Sequence, residues 1–151
     1  MNLALAVTAL TVAGLLIGVE FSVAVFINPI FDRLPGNYGL AGRADGGRVL
    51  GRVMPFWYVA SLVLTVALIV VNHDDRGAGP LIGGAALIVL SILMSVAILV
   101  PINNRAKNWT PEHAPDNWRE QHDRWDRYHY ARVAVIVAAF VLVAIGVLQS
   151  A

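Results

Sequence analysis

Four long apolar runs constrain this chain more than any other feature of the sequence. A helix needs about 20 mostly apolar residues to cross a bilayer, and each run approaches or exceeds that length. The sequence therefore predicts an all-α integral membrane protein, built as a bundle of four transmembrane helices in a single domain over residues 1–151. The runs cover roughly residues 3–31, 53–72, 80–102 and 133–149, and the last span is placed at about 129–149 because residues 129–132 lead directly into it.

The composition excludes several classes of protein. The segments between the runs are short and polar or mixed, so no soluble catalytic domain fits there. The sequence contains no cysteine, which excludes disulfides, thiolate metal sites and a cysteine nucleophile. The net charge is only +1 and no basic patch contains interleaved aromatic residues, so we expect no nucleic-acid partner. The expected partner is the lipid bilayer.

The distribution of charge predicts an orientation. Alternating spans put the loops 32–52 and 103–132 on one side, with ten Lys and Arg residues, whereas the other side has only Arg76. Because basic loops are retained in the cytoplasm, we expect a multi-pass protein of the cell (inner) membrane with both long loops cytoplasmic and both termini outside. Trp57 and Tyr58 follow Pro55 at the expected start of the second span, a position typical of interfacial aromatic anchors.

One carboxylate, Glu20, lies inside a span, in the stretch LLIGVEFSVAVFINPIF. An ionisable residue at membrane depth costs at least about 2.5 kcal/mol on insertion scales, so such residues usually face the bundle interior and are paired or functional. A helix over residues 3–31 would be about 43 Å long against about 30 Å of hydrocarbon, and Glu20 lies below the cytoplasmic boundary at either limit. Asn28 and Pro29 mark the cytoplasmic end of this span.

The segment before the last span predicts an amphipathic cytoplasmic helix. In DNWREQHDRWDRYHYARV, residues 116–133, Trp118, His122, Trp125 and His129 recur at spacings of four, three and four, which places them on one helical face. A helix lying at the membrane interface would also use tryptophans as anchors and leave histidines half-solvated. His129 and Arg132 suit the bundle interior better, because residues 133–148 cover only about 24 Å as a helix.

We therefore expect Glu20 to face His129 and Arg132 across the bundle, with Asn103 and Asn104 of VPINNR completing a polar pocket. The structural alternative is a Glu20–Arg132 ion pair that only holds two helices together. Glu20, His122 and His129 also form a ligand set suited to iron or copper. However, the two histidines are about 10.5 Å apart along one helix, so a bound metal and no metal both remain open.

The motifs resemble the anthrone oxygenase-like family of small four-helix membrane proteins. The resemblance rests on NPIFDRLP, RVMPFW, VPINNR, Trp109, Trp118 and RWDRYHYAR in this order. It implies an oxygenase that uses O₂ as co-substrate to oxidise an apolar aromatic, anthrone or polyketide-like substrate at an activated methylene carbon. At matching positions it implies functional roles for Asn103, Asn104, Arg105, Trp125, His129 and Arg132.

A mechanism follows from this resemblance. His129 would remove the methylene proton, Arg132 and an asparagine amide would stabilise the resulting oxyanion, and Glu20 would donate or relay a proton. The competing hypothesis is a non-catalytic membrane module that binds a lipid, a quinone or a partner protein. Glycines at positions 14, 18, 83 and 84 also leave a homo-oligomer open. The expected substrate-binding residues are Trp118, Trp125, Phe31, Asn28 and Arg105.

Overall fold

The computed structural model describes residues 2–151, and these residues form four long helices without a strand. All four helices are long and apolar enough to cross a membrane. The predicted all-α bundle of transmembrane helices is therefore confirmed. The helices are α1 (Leu3–Asp32), α2 (Tyr38–Val71), α3 (Ala78–Ala106) and α4 (Trp118–Gln149).

The helices alternate in direction, and each packs against the preceding and following helix, with α4 closing against α1. Helices α3 and α4 approach each other closely at positions occupied by glycine. A Cβ atom on Gly77 would lie 2.1 Å from the carbonyl oxygen of Gly146, and one on Gly84 would lie 2.7 Å from the Val143 side chain. Small residues permit such close backbone contact in membrane bundles. Gly84 therefore packs against α4 of the same chain. The sequence alone had left open whether this glycine contacts a second copy of the protein.

One of the expected loops is shorter than the sequence suggests. The segment 32–52 was expected to be a loop, but α2 begins at Tyr38 and continues unbroken to Val71. Gly39 lies so close to α1 that a Cβ atom there would be 2.1 Å from the Phe31 carbonyl oxygen. The difference arises because hydropathy marks the lipid-embedded part of a helix and does not mark its ends.

Helices α1 and α3 share an irregularity. Each contains a π-helical turn, Val23–Ile27 in α1 and Ser95–Leu99 in α3, that ends two residues before a proline. Proline lacks the N–H group that would close the α-helical ladder, and π-turns occur frequently at functional sites. The Tyr130 hydroxyl of α4 donates a hydrogen bond of 2.7 Å to the carbonyl oxygen of Ala24, which lies in the π-helical turn of α1.

Candidate functional site

A buried carboxylate, Glu20, lies at the centre of the bundle and is only 3% exposed. The Tyr58 hydroxyl of α2 donates to Glu20 Oε1 at 2.9 Å, and Arg132 Nη2 of α4 donates to Glu20 Oε2 at 2.5 Å. The negative charge of Glu20 is thus paired with a guanidinium and also accepts a neutral hydrogen bond. Buried ion pairs need such additional hydrogen bonds to offset the cost of desolvation.

Arg132 connects this carboxylate to the other helices. Its Nη1 donates to the Ser95 hydroxyl at 2.7 Å, and that hydroxyl donates in turn to the Ser91 carbonyl oxygen at 2.8 Å. Its Nη2 also lies 3.0 Å from His129 Nδ1, one turn back along α4. Groups from α1, α2, α3 and α4 therefore meet at one guanidinium. We call Glu20, Tyr58, Ser95, His129 and Arg132 the ionic cluster.

Two members of the ionic cluster have a buried nitrogen without a partner in the described part of the chain, Nε of Arg132 and Nε2 of His129. The His129 side chain is 1% exposed. Its Nδ1 lies 3.0 Å from Arg132 Nη2, a donor, and 3.5 Å from Glu20 Oε2, an acceptor, so either neutral tautomer has a partner at Nδ1. Nε2 is buried and has no hydrogen-bond partner in the described part of the chain. The imidazole also stacks on the Trp125 indole at 4.5 Å between ring centroids. A buried ring nitrogen without a partner is available to a ligand, as a donor or an acceptor according to the tautomer.

The ionic cluster lines a cavity of about 220 Å³, which we call the first cavity. Trp125 and Asn103 also line it, and most of the remaining wall is aliphatic, including Val23 and Leu50. Small-molecule sites are typically apolar cavities with a few polar groups that fix the ligand's orientation. The first cavity has this character.

A second cavity of about 330 Å³ adjoins the first and shares Val23, Leu50, Asn103 and Trp125 with it. Its own wall is more polar and contains Asn28, Phe31, Arg43 and His122. The two cavities together are of the size that small-molecule sites in proteins have, roughly 300–1,000 Å³. Trp125 and Asn103 therefore stand between an apolar and a polar compartment.

A second ion cluster closes this end of the bundle. Arg43 Nη2 lies 2.7 Å from Asp32 Oδ2 and 2.7 Å from Asp126 Oδ2, so one guanidinium joins α1, α2 and α4. Asn28 Nδ2 donates to Asp126 Oδ1 at 2.8 Å. Sequence reasoning singled out neither Asp126 nor Arg43 as a site residue. In the sequence, Arg43 is one of several arginines within residues 32–52, and nothing in the pattern marks it as the one that forms ion pairs.

The structure divides the expected site residues into three groups. Glu20, His129 and Arg132 meet in the ionic cluster, and Trp125 and Asn103 border it in the first cavity. Phe31, Asn28 and His122 line the second cavity only. The remaining three lie outside both cavities: Trp118 packs edge-on against His122 at 5.5 Å, Asn104 accepts a bond from Lys107, and Arg105 is exposed.

The expected metal ligands are not all brought together. His129 Nδ1 lies 3.5 Å from Glu20 Oε2, but His122 belongs to the second cavity and packs beside Trp109 at 5.4 Å between ring centroids. Within residues 2–151, no three His, Asp or Glu side chains are grouped closely enough to hold a metal ion. The set Glu20, His122 and His129 is therefore not assembled in this structure.

Two members of the ionic cluster were missed from the sequence. Trp57 and Tyr58 were interpreted as interfacial anchors, and this interpretation is wrong for Tyr58 because its side chain is buried inside the bundle. Tyr58 is 5% exposed and bonded to Glu20, while the Trp57 indole donates to the Val12 carbonyl oxygen at 3.0 Å. Ser95 gave no signal beyond being a small polar residue in an apolar span.

A comparison with known protein families assigns the chain to a family. The family model described as anthrone oxygenase matches residues 48–142. The chain belongs to the anthrone oxygenase family. No curated protein and no solved structure matches it. The match includes Tyr58, Ser95, His129 and Arg132, so an anthrone oxygenase family model covers every member of the ionic cluster except Glu20. Membership in the anthrone oxygenase family favours an oxygenase-type function.

Proposed function

We propose that this protein is a membrane oxygenase that uses O₂ to oxidise an apolar aromatic substrate of the anthrone type, bound in the first cavity. The observation that carries the proposal is the unpartnered Nε2 of His129, held by a buried ion pair against an otherwise apolar cavity. The family match over residues 48–142 supports the same reaction class.

The first cavity offers complementary surfaces to a flat aromatic ring system. The stacked Trp125 and His129 rings provide an aromatic wall, and the aliphatic remainder suits an apolar body. Arg132 and the Asn103 amide carry the donors for a carbonyl or phenolate oxygen on the substrate. An anthrone has both features, because it combines a tricyclic apolar framework with a ketone oxygen.

The chemistry begins with removal of a proton from the activated methylene carbon. His129 accepts this proton at Nε2 when its own proton lies on Nδ1, where Glu20 Oε2 at 3.5 Å is the neighbouring acceptor. The negative charge moves to the substrate oxygen, and the Arg132 guanidinium stabilises it in a largely apolar cavity. O₂ then takes up the electrons: the methylene carbon loses two hydrogens and gains one oxygen atom, and the second oxygen atom leaves as water.

Turnover of anthrone by purified protein in phospholipid vesicles tests the proposal. Anthraquinone formation and O₂ consumption should proceed together in a ratio of about one, and His129→Phe should reduce the rate by about 10² to 10⁴ because it retains a flat ring but removes the proton acceptor. The control is His73→Phe, at an exposed histidine in the turn between α2 and α3. Equal rates for His129→Phe and the control would exclude His129 as the base.

The metal content is tested separately. Elemental mass spectrometry of wild-type protein, Glu20→Gln and His129→Ala should be run on the samples used for turnover. Stoichiometric iron or copper that is lost in both variants would assign the ionic cluster to a metal site. Turnover by metal-free protein would assign the oxidation to the substrate anion and O₂ without a metal.

We further propose that the end of the bundle rich in Lys and Arg faces the cytoplasm of a cell with the protein in its inner membrane. The sequence supports this with ten basic residues within 32–52 and 103–132, against Arg76 alone on the other side. Reporter fusions at the C terminus test the orientation, since activity of a reporter that functions only outside the cytoplasm is expected.

A further inference from the structure

The first cavity has an opening in the side of the bundle, between α2 and α3. On α2 the edge of the opening is formed by Gly51, Pro55 and Val59, which follow one another at intervals of four residues. On α3 it is formed by Val96 and Val100, again four residues apart. Val59 is 56% exposed, Val96 62% and Val100 41%. At Gly51 and Val100 the border adjoins a third cavity of about 350 Å³ whose wall includes Arg48, Arg52 and Lys107. The part of the border away from charged residues is formed by Pro55, Val59 and Val96.

The part of the opening between Val59 and Val96 lies in the apolar runs, which are expected to be embedded among the lipid chains, whereas Gly51 lies just outside them. Val59 falls within the apolar run of residues 53–72, and Val96 falls within the run of residues 80–102. The charged side chains on the described wall of the first cavity are Glu20 and Arg132, both buried and paired with each other. A charged molecule would have to leave water to cross this border, which is costly at membrane depth. An uncharged apolar molecule dissolved in the bilayer would meet no such barrier.

The second cavity has the opposite character. Its wall includes the exposed Asp45 and the Arg43 guanidinium, and it opens at the end of the bundle where the basic residues collect. Because both cavities share Val23 and Trp125, a ligand could in principle reach the ionic cluster from either side. The route between α2 and α3 is bordered by apolar residues such as Val59 and Val96, whereas the route through the second cavity passes Asp45 and Arg43.

We propose that the opening between α2 and α3 is a lateral access route, through which an uncharged, flat, apolar molecule carrying an acceptor oxygen passes from the bilayer to the ionic cluster. The identity of this molecule as the oxidised substrate rests on the proposed function. The route itself does not depend on turnover. Access can therefore be measured without a turnover assay.

Two glycines provide a matched pair of obstructing variants. Gly51 lies on the border of the first cavity and Gly46 on the wall of the second, and a Cβ atom at either position would meet no heavy atom within 4 Å. Leucine is a better helix former than glycine, so neither substitution should weaken α2. Gly51→Leu should obstruct the lateral opening, whereas Gly46→Leu should obstruct the polar compartment.

A single thiol placed in the shared wall reports access. The chain contains no cysteine, and Val23 is 6% exposed and lines both cavities, so Val23→Cys introduces one buried thiol of similar size. The protein is reconstituted in phosphatidylcholine vesicles, N-phenylmaleimide is dissolved in the bilayer, and labelling is followed by intact-protein mass spectrometry. Far-UV circular dichroism verifies that each double variant retains its helices.

We expect Val23→Cys to be labelled and Gly51→Leu to slow labelling by about tenfold, because a close-packed side chain then blocks the path. Gly46→Leu should leave the rate within about twofold of the parent, because the path through the bilayer remains open. Slowing by Gly46→Leu with no effect of Gly51→Leu would overturn the proposal in favour of access from the polar end. Absence of labelling in the parent would overturn it by showing a closed cavity. Slowed labelling in a protein that does not oxidise anthrone would retain the route and reject the oxygenase.

Discussion

The Glu20→Gln substitution is expected to destabilise the bundle strongly, because it removes one charge from a buried pair without leaving a cavity. Glu20 loses its ionic bond to Arg132, and the guanidinium keeps only the neutral partners Ser95 and His129. Both charged side chains are more than nine-tenths buried. Removing one partner of a buried ion pair typically costs about 3–5 kcal/mol, so we expect a loss of unfolding free energy of about that size.

The measurement is equilibrium unfolding in dodecylmaltoside micelles titrated with sodium dodecyl sulfate, followed by circular dichroism. The control is Asp45→Asn, which breaks the exposed 3.3 Å pair with Arg48 and should cost about 0–1 kcal/mol. The double variant Glu20→Gln/Arg132→Met should be more stable than Glu20→Gln alone, because no uncompensated charge is then buried. A cost for Glu20→Gln no larger than that of Asp45→Asn would refute the description of the ionic cluster as dry and charge-paired.

Two further substitutions test the packing and the second ion cluster. Gly146→Ala should lower the unfolding free energy by about 1–3 kcal/mol, because its Cβ atom would lie 2.6 Å from the Leu81 side chain; Gly79→Ala, which meets no atom within 4 Å, should not destabilise the protein. Arg43→Lys should cost about 2 kcal/mol, because one ammonium cannot reproduce the forked contacts to two carboxylates. The same micelle titration measures both effects, and an Arg43→Lys variant as stable as wild type would contradict the second.

The sequence was sufficient to predict the bundle and the meeting of Glu20 with His129 and Arg132. Both predictions rest on strong energetic terms. Apolar runs long enough to cross a bilayer have few other solutions, and a lone carboxylate inside a span requires a cationic partner. Arg132 directly precedes the last apolar run, so it was the basic residue expected to lie deepest in the bundle.

The remaining members of the ionic cluster depend on details that hydropathy does not carry. Tyr58 and Ser95 are neutral, so burying them creates no charge that the sequence pattern must balance. His122 and His129 lie on the same helical face, which suggested a common site. They are two helical turns apart, however, and line different cavities. Arg43 could not be singled out because its partners, Asp32 and Asp126, come from two other helices.

The paired π-turns of α1 and α3 change the phase of each helix. A π-turn holds one extra residue, so the segment after it is rotated by about 100° relative to an uninterrupted α-helix. Asn103 follows the second turn, and it lines both cavities only in this shifted register. The length of the chain between Met94 and Pro101 is therefore as constrained as its composition: a deletion of one residue there would leave the span apolar yet turn the Asn103 side chain away from the site.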